Sequence, residues 1–335
     1  MNSGHCQRFL ERMAPILVQV ELTEACNLRC AFCYNSQQPR YGRETIRILE
    51  TLRDQGVAQV TLTGGEPLMH PDFFSILKVA TSLFPQVIVL SNGSLMTPQV
   101  IDRLHQYPIL CANISIHGCA DSHDYLTGVK GSFAASIRAV QDFIRRETIP
   151  IASNFVLTAF NAGDLRDTLH YLRALGLRNV TVTRFTEVGC GREAPELRLT
   201  QKHLVHAFWT IHEEMQLHEF PRVVVADATP FCILPQELRY LANCCSYGHD
   251  RFYVDVDGNL ITCGLARIPL GGNVLHASLD EIRRTSSVFQ KYLATEHVPL
   301  TCQQCELFAE CRGGCRAAAY GVSGELASED PIMSL

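Results

Sequence analysis

Apolar residues along the first 185 positions alternate between two periods, one typical of buried strands and one typical of helices. Short apolar runs predict strands at 16–22, 59–63, 86–91, 109–116, 149–157 and 179–185. Residues that repeat every three or four positions predict helical faces, with Phe133, Ile137, Val140 and Ile144 on one and Leu165, Leu169, Leu172 and Leu175 on another. Because strand and helix alternate without hairpins, the pattern predicts an α/β fold, an open and partial (β/α)6 barrel of the TIM type.

The pattern changes near residue 200. A long helix is predicted over 200–215 and a strand over 222–228. Cysteine-rich loops follow, with a hairpin around Asp257-Gly258,. We therefore divide the chain into an N-terminal extension (1–15), a barrel (16–200), a linker helix and strand (201–229) and a cysteine-rich C-terminal domain (230–335).

Composition excludes several classes of function. The chain has 335 residues, 47% of them hydrophobic and 19% charged, which is enough for one large domain and a smaller one,. A formal charge of −5 gives no basic surface for nucleic acid,. No apolar run reaches the roughly 18 residues of a membrane span, and the N-terminus lacks the apolar segment of a signal peptide. We predict a cytoplasmic protein with neither nucleic acid nor membrane as a partner.

Fifteen cysteines point to metal or thiol chemistry, because in a reducing compartment clustered cysteines are typically ligands or catalytic groups,. Ten fall into three groups: Cys26, Cys30 and Cys33; Cys244, Cys245 and Cys263; and Cys302, Cys305, Cys311 and Cys315. Three scattered ones, Cys111, Cys119 and Cys190, are predicted to be small buried hydrophobes. Cys232 remains open as a cluster ligand, a buried thiol or a hydrogen donor.

The first cysteine group directly follows the first strand, where parallel β/α folds place their catalytic loops. Three thiolates can hold three irons of a cubane cluster and leave the fourth exposed. Zinc with a remote ligand, Cys6 or a histidine, is the alternative. Phe32 precedes the last cysteine, and Gly64-Gly65-Glu66-Pro67 follows the second strand. In this order, over residues 16 to about 190, these motifs resemble the radical SAM superfamily.

That resemblance implies a [4Fe–4S] cluster held by Cys26, Cys30 and Cys33, with S-adenosylmethionine on the remaining iron. A donor such as flavodoxin or ferredoxin would supply the electron that cleaves this cosubstrate, and the 5′-deoxyadenosyl radical would take a hydrogen atom from the substrate. The implied cosubstrate contacts are Phe32, Gly64, Gly65, Glu66, Pro67, Ser91, Asn92 and Ser115. Thr127 stands where relatives often carry an arginine for the methionyl carboxylate. Lys130 is the candidate replacement, although lysine lacks the planar fork of arginine.

The C-terminal cysteines resemble the SPASM branch of the same superfamily, which carries auxiliary iron–sulfur clusters. The tail over 311–331 is similar to the pyrroloquinoline quinone peptide cyclase and to the radical SAM enzymes of haem precursors. One or two auxiliary clusters are implied, the first on Cys244 or Cys245 with Cys263 and Cys315, and the second on Cys302, Cys305 and Cys311. A zinc ribbon is the alternative.

The second auxiliary cluster lacks one expected thiolate, because no cysteine follows Cys315. Met333 stands where relatives have a cysteine. We therefore expect a non-thiolate group at the fourth position, namely water, substrate or a carboxylate such as Asp330.

These features predict a radical SAM enzyme that crosslinks or oxidises a ribosomal peptide. The residues before position 16 leave no room for a peptide-recognition domain, so a separate leader-binding protein is expected. Two alternatives stay open. A small-molecule enzyme would modify a tetrapyrrole side chain or epimerise a sugar, with Cys232 returning the hydrogen, whereas a zinc-bound scaffold would have no activity.

Overall fold

The computed structural model describes residues 17–35, 38–147, 149–219, 221–248, 251–293 and 298–334. The predicted N-terminal extension, with Cys6, lies outside these ranges. Within them, no helix combines the length and the apolar character needed to cross a bilayer.

One mostly parallel sheet organises the described chain, in the strand order β10-β9-β8-β1-β2-β3-β4-β5-β6-β7. Its strands are Leu17–Glu21 (β1), Gln59–Thr63 (β2), Gln86–Ser91 (β3), Cys111–Ser115 (β4), Ile151–Leu157 (β5), Asn179–Arg184 (β6), Arg222–Val225 (β7), Arg251–Val254 (β8), Asn259–Ile261 (β9) and Pro269–Asn273 (β10). All neighbours from β8 through β1 to β7 are parallel, whereas β8, β9 and β10 pair antiparallel. The carboxyl ends of β1 to β6 therefore meet at one edge.

Helices connect the parallel strands. They are Thr45–Asp54 (α1), Phe73–Leu83 (α2), Pro98–Leu104 (α3), Ala120–Thr127 (α4), Ser132–Arg146 (α5), Leu165–Leu175 (α6) and Gln201–Leu217 (α7). Shorter helices follow, at Leu279–Thr285 (α8), Ser287–Leu293 (α9), Leu300–Gln303 (α10), Phe308–Cys311 (α11) and Arg316–Ser323 (α12). The order β1-α1-β2-α2-β3-α3-β4 and onward is that of right-handed crossover units.

The predicted helical faces are the faces that pack on the sheet. In α5, Ile137 and Val140 are buried, and in α6 so are Leu169 and Leu172. A helix with an apolar stripe of this width buries it against the strands and leaves its polar side in water. Gly176 ends α6 with a φ of +95°, in the left-handed conformation that glycine adopts without a Cβ penalty,.

The structure confirms the α/β class with a partial barrel and the hairpin of β8 and β9. It also confirms the helix predicted from residue 200, where the Thr200 side chain caps the first turn,. The predicted strand at 109–116 is shorter, beginning at Cys111. The sheet itself does not stop at residue 200. Strand β7 pairs with β6, and β8 pairs with β1, so the cysteine-rich region extends both edges of the barrel sheet.

Candidate active site

The loop after β1 holds the first cysteine group against the barrel through its own backbone. The N–H of Arg29 donates to the carbonyl of Thr127, and the N–H of Ala31 donates to the carbonyl of Leu126, both at a distance of 2.9 Å. These bonds fix the loop on the end of α4. The thiols of Cys26, Cys30 and Cys33 all line one cavity of about 670 Å³. Neighbouring walls come from the carboxyl ends of the barrel strands, where such folds bind their ligands.

The chemistry of these thiols fits an iron–sulfur cluster. Burial raises the pKa of Cys26 to about 11, and burial also raises the pKa of Cys30. Such thiols need a bound cation to exist as thiolates. Within the described ranges, no three cysteine sulfurs lie all within 4.8 Å of one another. Three thiols of one loop can each ligate one iron of a cubane cluster and leave the fourth iron open.

Gly64 and Gly65 allow the chain after β2 to approach the cysteine loop. A Cβ on Gly65 would lie 2.2 Å from the carbonyl oxygen of Ala25, and one on Gly64 would lie 2.3 Å from that of Thr23. Gly64 also has a φ of +152°. Both glycines line the cavity. A ligand in the cavity can therefore contact their backbones. The requirement for glycine, however, comes from close contact with the backbone of the segment before Cys26,.

Glu66 positions the turn after β3. Its buried carboxylate accepts hydrogen bonds from Ser91 Oγ at 2.9 Å and from the N–H of Asn92 at 2.8 Å. Burial raises its pKa to about 7, although these donors oppose the shift,. Neither Glu66 nor Pro67, which begins a short 3₁₀ turn, lines the cavity. Their placement supports a positioning role beneath the cavity wall.

Four other predicted contacts do reach the cavity, namely Phe32, Ser91, Asn92 and Ser115. The Asn92 side chain donates to Asn27 Oδ1 at 2.9 Å and approaches Cys26 Sγ at 3.9 Å. Phe32 packs edge-on against His117, with ring centroids 4.8 Å apart. The structure thus places an amide and an aromatic face beside the cysteine loop.

The proposed replacement for the missing arginine does not reach this cavity. Lys130 is exposed and is absent from the cavity wall. Thr127 does line it, but its hydroxyl donates to the carbonyl of His123 at 2.8 Å and contacts Ser132 Oγ. The structure therefore shows no basic side chain in place of that arginine at either position.

Two polar side chains of the cavity wall escaped the sequence analysis. Asn113 Oδ1 and His123 Nε2 are buried without a hydrogen-bond partner among the described residues. Burial lowers the pKa of His123 to about 4, so its ring is neutral. Orphaned polar atoms in a cavity wall are typical of a site that binds a polar ligand. Asn113 could have been recognised from the sequence, because it is an asparagine inside the mostly apolar run of β4.

Two cysteines of the second group lie beside one cysteine of the third group. Cys263 and Cys315 are buried together beside Ala228, and Cys245 packs against them. Burial raises the pKa of Cys315 to about 11. Cys245 and Cys263 also line the main cavity. Cys244, the other candidate at this position, is disulfide-bonded in the structure and also lines the main cavity, whereas Cys245 packs beside Cys263 and Cys315.

The remaining cysteines, Cys302, Cys305 and Cys311, are free thiols of the C-terminal segment. Cys311 Sγ accepts the N–H of Phe231 at 3.3 Å. Of the scattered cysteines, Cys119 and Cys190 are exposed and Cys111 is half-buried. The prediction that Cys119 and Cys190 are buried hydrophobes is therefore wrong. Both lie in turns after strands, where little apolar surface is available to cover them.

Comparison with known proteins agrees with this geometry. Residues 20–183 match the family described as the Radical SAM superfamily. The AdoMet-dependent heme synthase of Methanosarcina barkeri is 26% identical, over 95% of this chain and 96% of the relative. The PqqA peptide cyclase of Gluconobacter oxydans is also 26% identical, over 96% of this chain and 91% of the relative.

Solved structures show the same fold. Streptococcus suis SuiB bound to the precursor peptide SuiA superposes with a TM-score of 0.79 at 16% identity, covering 98% of this chain and 78% of that one. The matched residues carry both the cysteine loop and the glycine pair, and the fold brings these to one cavity. Residues 20–183 of the chain therefore form a domain of the radical SAM superfamily.

Proposed function

We propose that the chain is a radical SAM/SPASM enzyme that matures a ribosomal peptide by crosslinking it or oxidising a side chain. One observation carries this proposal: a single cavity of about 670 Å³ is lined by Cys26, Cys30 and Cys33 and also by Cys245 and Cys263. A [4Fe–4S] cluster with S-adenosylmethionine supplies, when bound, the radical that removes a hydrogen atom from the substrate. The relatives that act on peptides support the substrate class.

The chain's own residues bind and orient. Cys26, Cys30 and Cys33 hold three irons. The Gly64-Gly65 backbone and the side chain of Asn92 present polar groups to the cosubstrate, while Glu66 keeps Asn92 in place. Apolar residues of the wall keep water from a reactive centre, namely Phe32, Ile88, Leu90 and Val156,.

Auxiliary clusters form the second part of the proposal. Cys245, Cys263 and Cys315 hold the first cluster, next to the substrate cavity, and the C-terminal thiols hold the second. Oxidative closure of a substrate radical releases an electron, and a nearby cluster can accept it. An external electron donor, a leader-binding protein and a cytoplasmic location complete this proposal.

A small-molecule function is the second candidate. The heme synthase relative aligns over nearly its whole length. The cavity wall also contains Arg251, whose guanidinium lies 5.7 Å from the ring centroid of Tyr247. A cation over an aromatic ring in this wall suits the carboxylates of a tetrapyrrole.

Anaerobic reconstitution tests both candidates. Purified protein with iron, sulfide, reductant and S-adenosylmethionine is offered a panel of peptides and tetrapyrroles, and 5′-deoxyadenosine is measured. We expect a peptide to stimulate its formation and to become lighter by a pair of hydrogens. Stimulation by a tetrapyrrole alone supports the second candidate. Solvent deuterium in a product of otherwise unchanged composition contradicts crosslinking or oxidation of a peptide and favours epimerisation, which belongs to the small-molecule candidate.

A further inference from the structure

The segment that carries Cys232 lies directly on the C-terminal cysteine loop. Cys232 sits in a short 3₁₀ turn, Phe231–Ile233, about seventy positions before Cys302 in the sequence. The N–H of Phe231 donates to Cys311 Sγ at 3.3 Å. A Cβ on Gly314 would lie 2.7 Å from Pro230 Cγ. Two independent contacts therefore hold Pro230 and Phe231, the two residues before Cys232, against the segment 311–314.

The Cys232 thiol lies within electrostatic range of the thiols of Cys311, Cys302 and Cys305. Gly313 lies beside the same group, because a Cβ there would come within 3.5 Å of Cys302 Sγ. Four thiols from two distant parts of the chain thus converge on one place.

Other candidates for a fourth ligand are engaged elsewhere. Asp330 is fully buried, and its two carboxylate oxygens bind the guanidinium of Arg184 and the N–H of Cys315. Cys315 is buried beside Cys263. Asp330 is therefore not available to this cluster, and an open position remains the alternative to a fourth thiolate.

A buried cation beside this group indicates a negatively charged occupant. Arg316 is 6% exposed, and its guanidinium donates to the carbonyls of Leu326, Ser328 and Gly313. No carboxylate pairs with it among the described residues, and its Nε has no partner there. Because a buried charge needs an opposite one nearby, Arg316 suits an anionic cluster next to Cys302, and each added thiolate makes that cluster more negative.

We propose that Cys232 is the fourth thiolate ligand of the second auxiliary cluster, together with Cys302, Cys305 and Cys311. The inference rests on the auxiliary clusters of the proposed function. Each thiol loses its proton as it binds iron. The cluster is then fully cysteine-ligated, with no iron open to substrate, and its role is electron transfer. Cys232 consequently does not return hydrogen to a substrate.

Alkylation mapping tests this without altering the fold. Cys232 is exposed in the cluster-free chain, and so is Cys119, which serves as an internal control. The protein with Cys26, Cys30 and Cys33 changed to alanine is reconstituted anaerobically, so that only auxiliary clusters remain. The iron content of this protein is measured. The protein is then treated with iodoacetamide, and mass spectrometry identifies the cysteines that were alkylated. We expect Cys232 to be protected after reconstitution and Cys119 to react in both states.

A variant pair gives an independent readout. Cys232→Ala in the same background is expected to change or abolish the EPR signal of one reduced cluster, whereas Cys119→Ala keeps the parent spectrum. Iron-loaded protein in which Cys232 still reacts, or in which Cys232→Ala leaves the spectrum unchanged, overturns the assignment while the auxiliary clusters stand. A triple variant without iron, or with zinc instead, defeats the auxiliary clusters themselves and the assignment with them.

Discussion

Arg184 and Asp330 form a buried ion pair that joins the end of β6 to the C-terminal tail, 146 positions later in the chain. The pair is bidentate, and Asp330 also accepts the N–H of Cys315 at 2.8 Å. One carboxylate therefore connects the barrel to a proposed ligand of the first auxiliary cluster. Removing it breaks the bidentate contact of the buried Arg184 guanidinium and leaves Asp227 as its neighbouring carboxylate.

Asp330→Asn is expected to lower the free energy of unfolding by about 3–5 kcal/mol, since removing one partner of a buried pair leaves a buried charge without its closest counter-charge. The matched control is Asp280→Asn, whose partner Arg284 and own side chain are both 68% exposed. That change should cost about 0–1 kcal/mol. Urea denaturation of the parent and the two variants measures these free energies of unfolding. Equal losses of stability in the two variants would contradict a stabilising role for the pair of Arg184 and Asp330.

Gly65→Ala is expected to release the cysteine loop and, with it, cluster iron. A methyl group there would lie 2.2 Å from the Ala25 carbonyl oxygen, which is backbone that cannot rotate away. Gly163→Ala is the control, because no atom lies within 4 Å of a Cβ at that position. Iron content after anaerobic reconstitution is the measurement. If Gly65→Ala binds as much iron as Gly163→Ala, the close approach of residue 65 to the Ala25 carbonyl is not needed for cluster binding.

Much of the barrel could be predicted because its elements carry strong local patterns. The runs that became β1, β2 and β3 are rich in aliphatic and β-branched residues, and the stripes of α5 and α6 repeat every three or four residues. The edge strands are different. Strand β7 contains only Arg222–Val225 and β9 only Asn259–Ile261, so their sheet partners depend on contacts distant in sequence.

The pH dependence of stability should report Glu66. Burial raises its pKa to about 7 from the 4.5 of an exposed glutamate, so the folded state holds its proton more tightly than the unfolded state. Stability from this group is present below pH 4.5 and is lost as the pH rises through 7.

In cluster-free protein, the stability of the parent relative to Glu66→Gln should therefore fall by on the order of 3 kcal/mol between these limits. Glu50→Gln, at an exposed position in α1, is the control and should show no such trend. Unfolding free energies at several pH values supply the comparison. A parallel profile for parent and Glu66→Gln counts against a protonated buried carboxyl.

Substitutions of Asn92 and Lys130 should differ in their effect on the affinity for S-adenosylmethionine. Asn92 lines the cavity beside Cys26, whereas Lys130 is exposed outside it. Asn92→Ala is expected to weaken S-adenosylmethionine binding about tenfold, the equivalent of one lost hydrogen bond of roughly 1.4 kcal/mol. Lys130→Ala should leave the affinity unchanged. Equilibrium dialysis on reconstituted protein measures both, and weaker binding in Lys130→Ala would restore lysine as the substitute for arginine.

The site was only partly predictable. The spacing of Cys26, Cys30 and Cys33 is local, and so is the glycine pair. The side-chain role of Glu66 is not, because its partner Ser91 lies 25 positions away. Cys232 is the clearest case: an isolated cysteine carries no pattern, and only the fold brings it to Cys311.

Reductive cleavage of S-adenosylmethionine tests the central claim most directly. Reconstituted parent protein and Cys119→Ala should both form 5′-deoxyadenosine with a strong reductant. Cys30→Ala should form none above background while keeping the parent's circular dichroism spectrum, because the cluster loses one of its three ligands. Cleavage at the parent rate in folded Cys30→Ala would contradict the assignment of Cys26, Cys30 and Cys33 as the ligands of the radical-generating cluster.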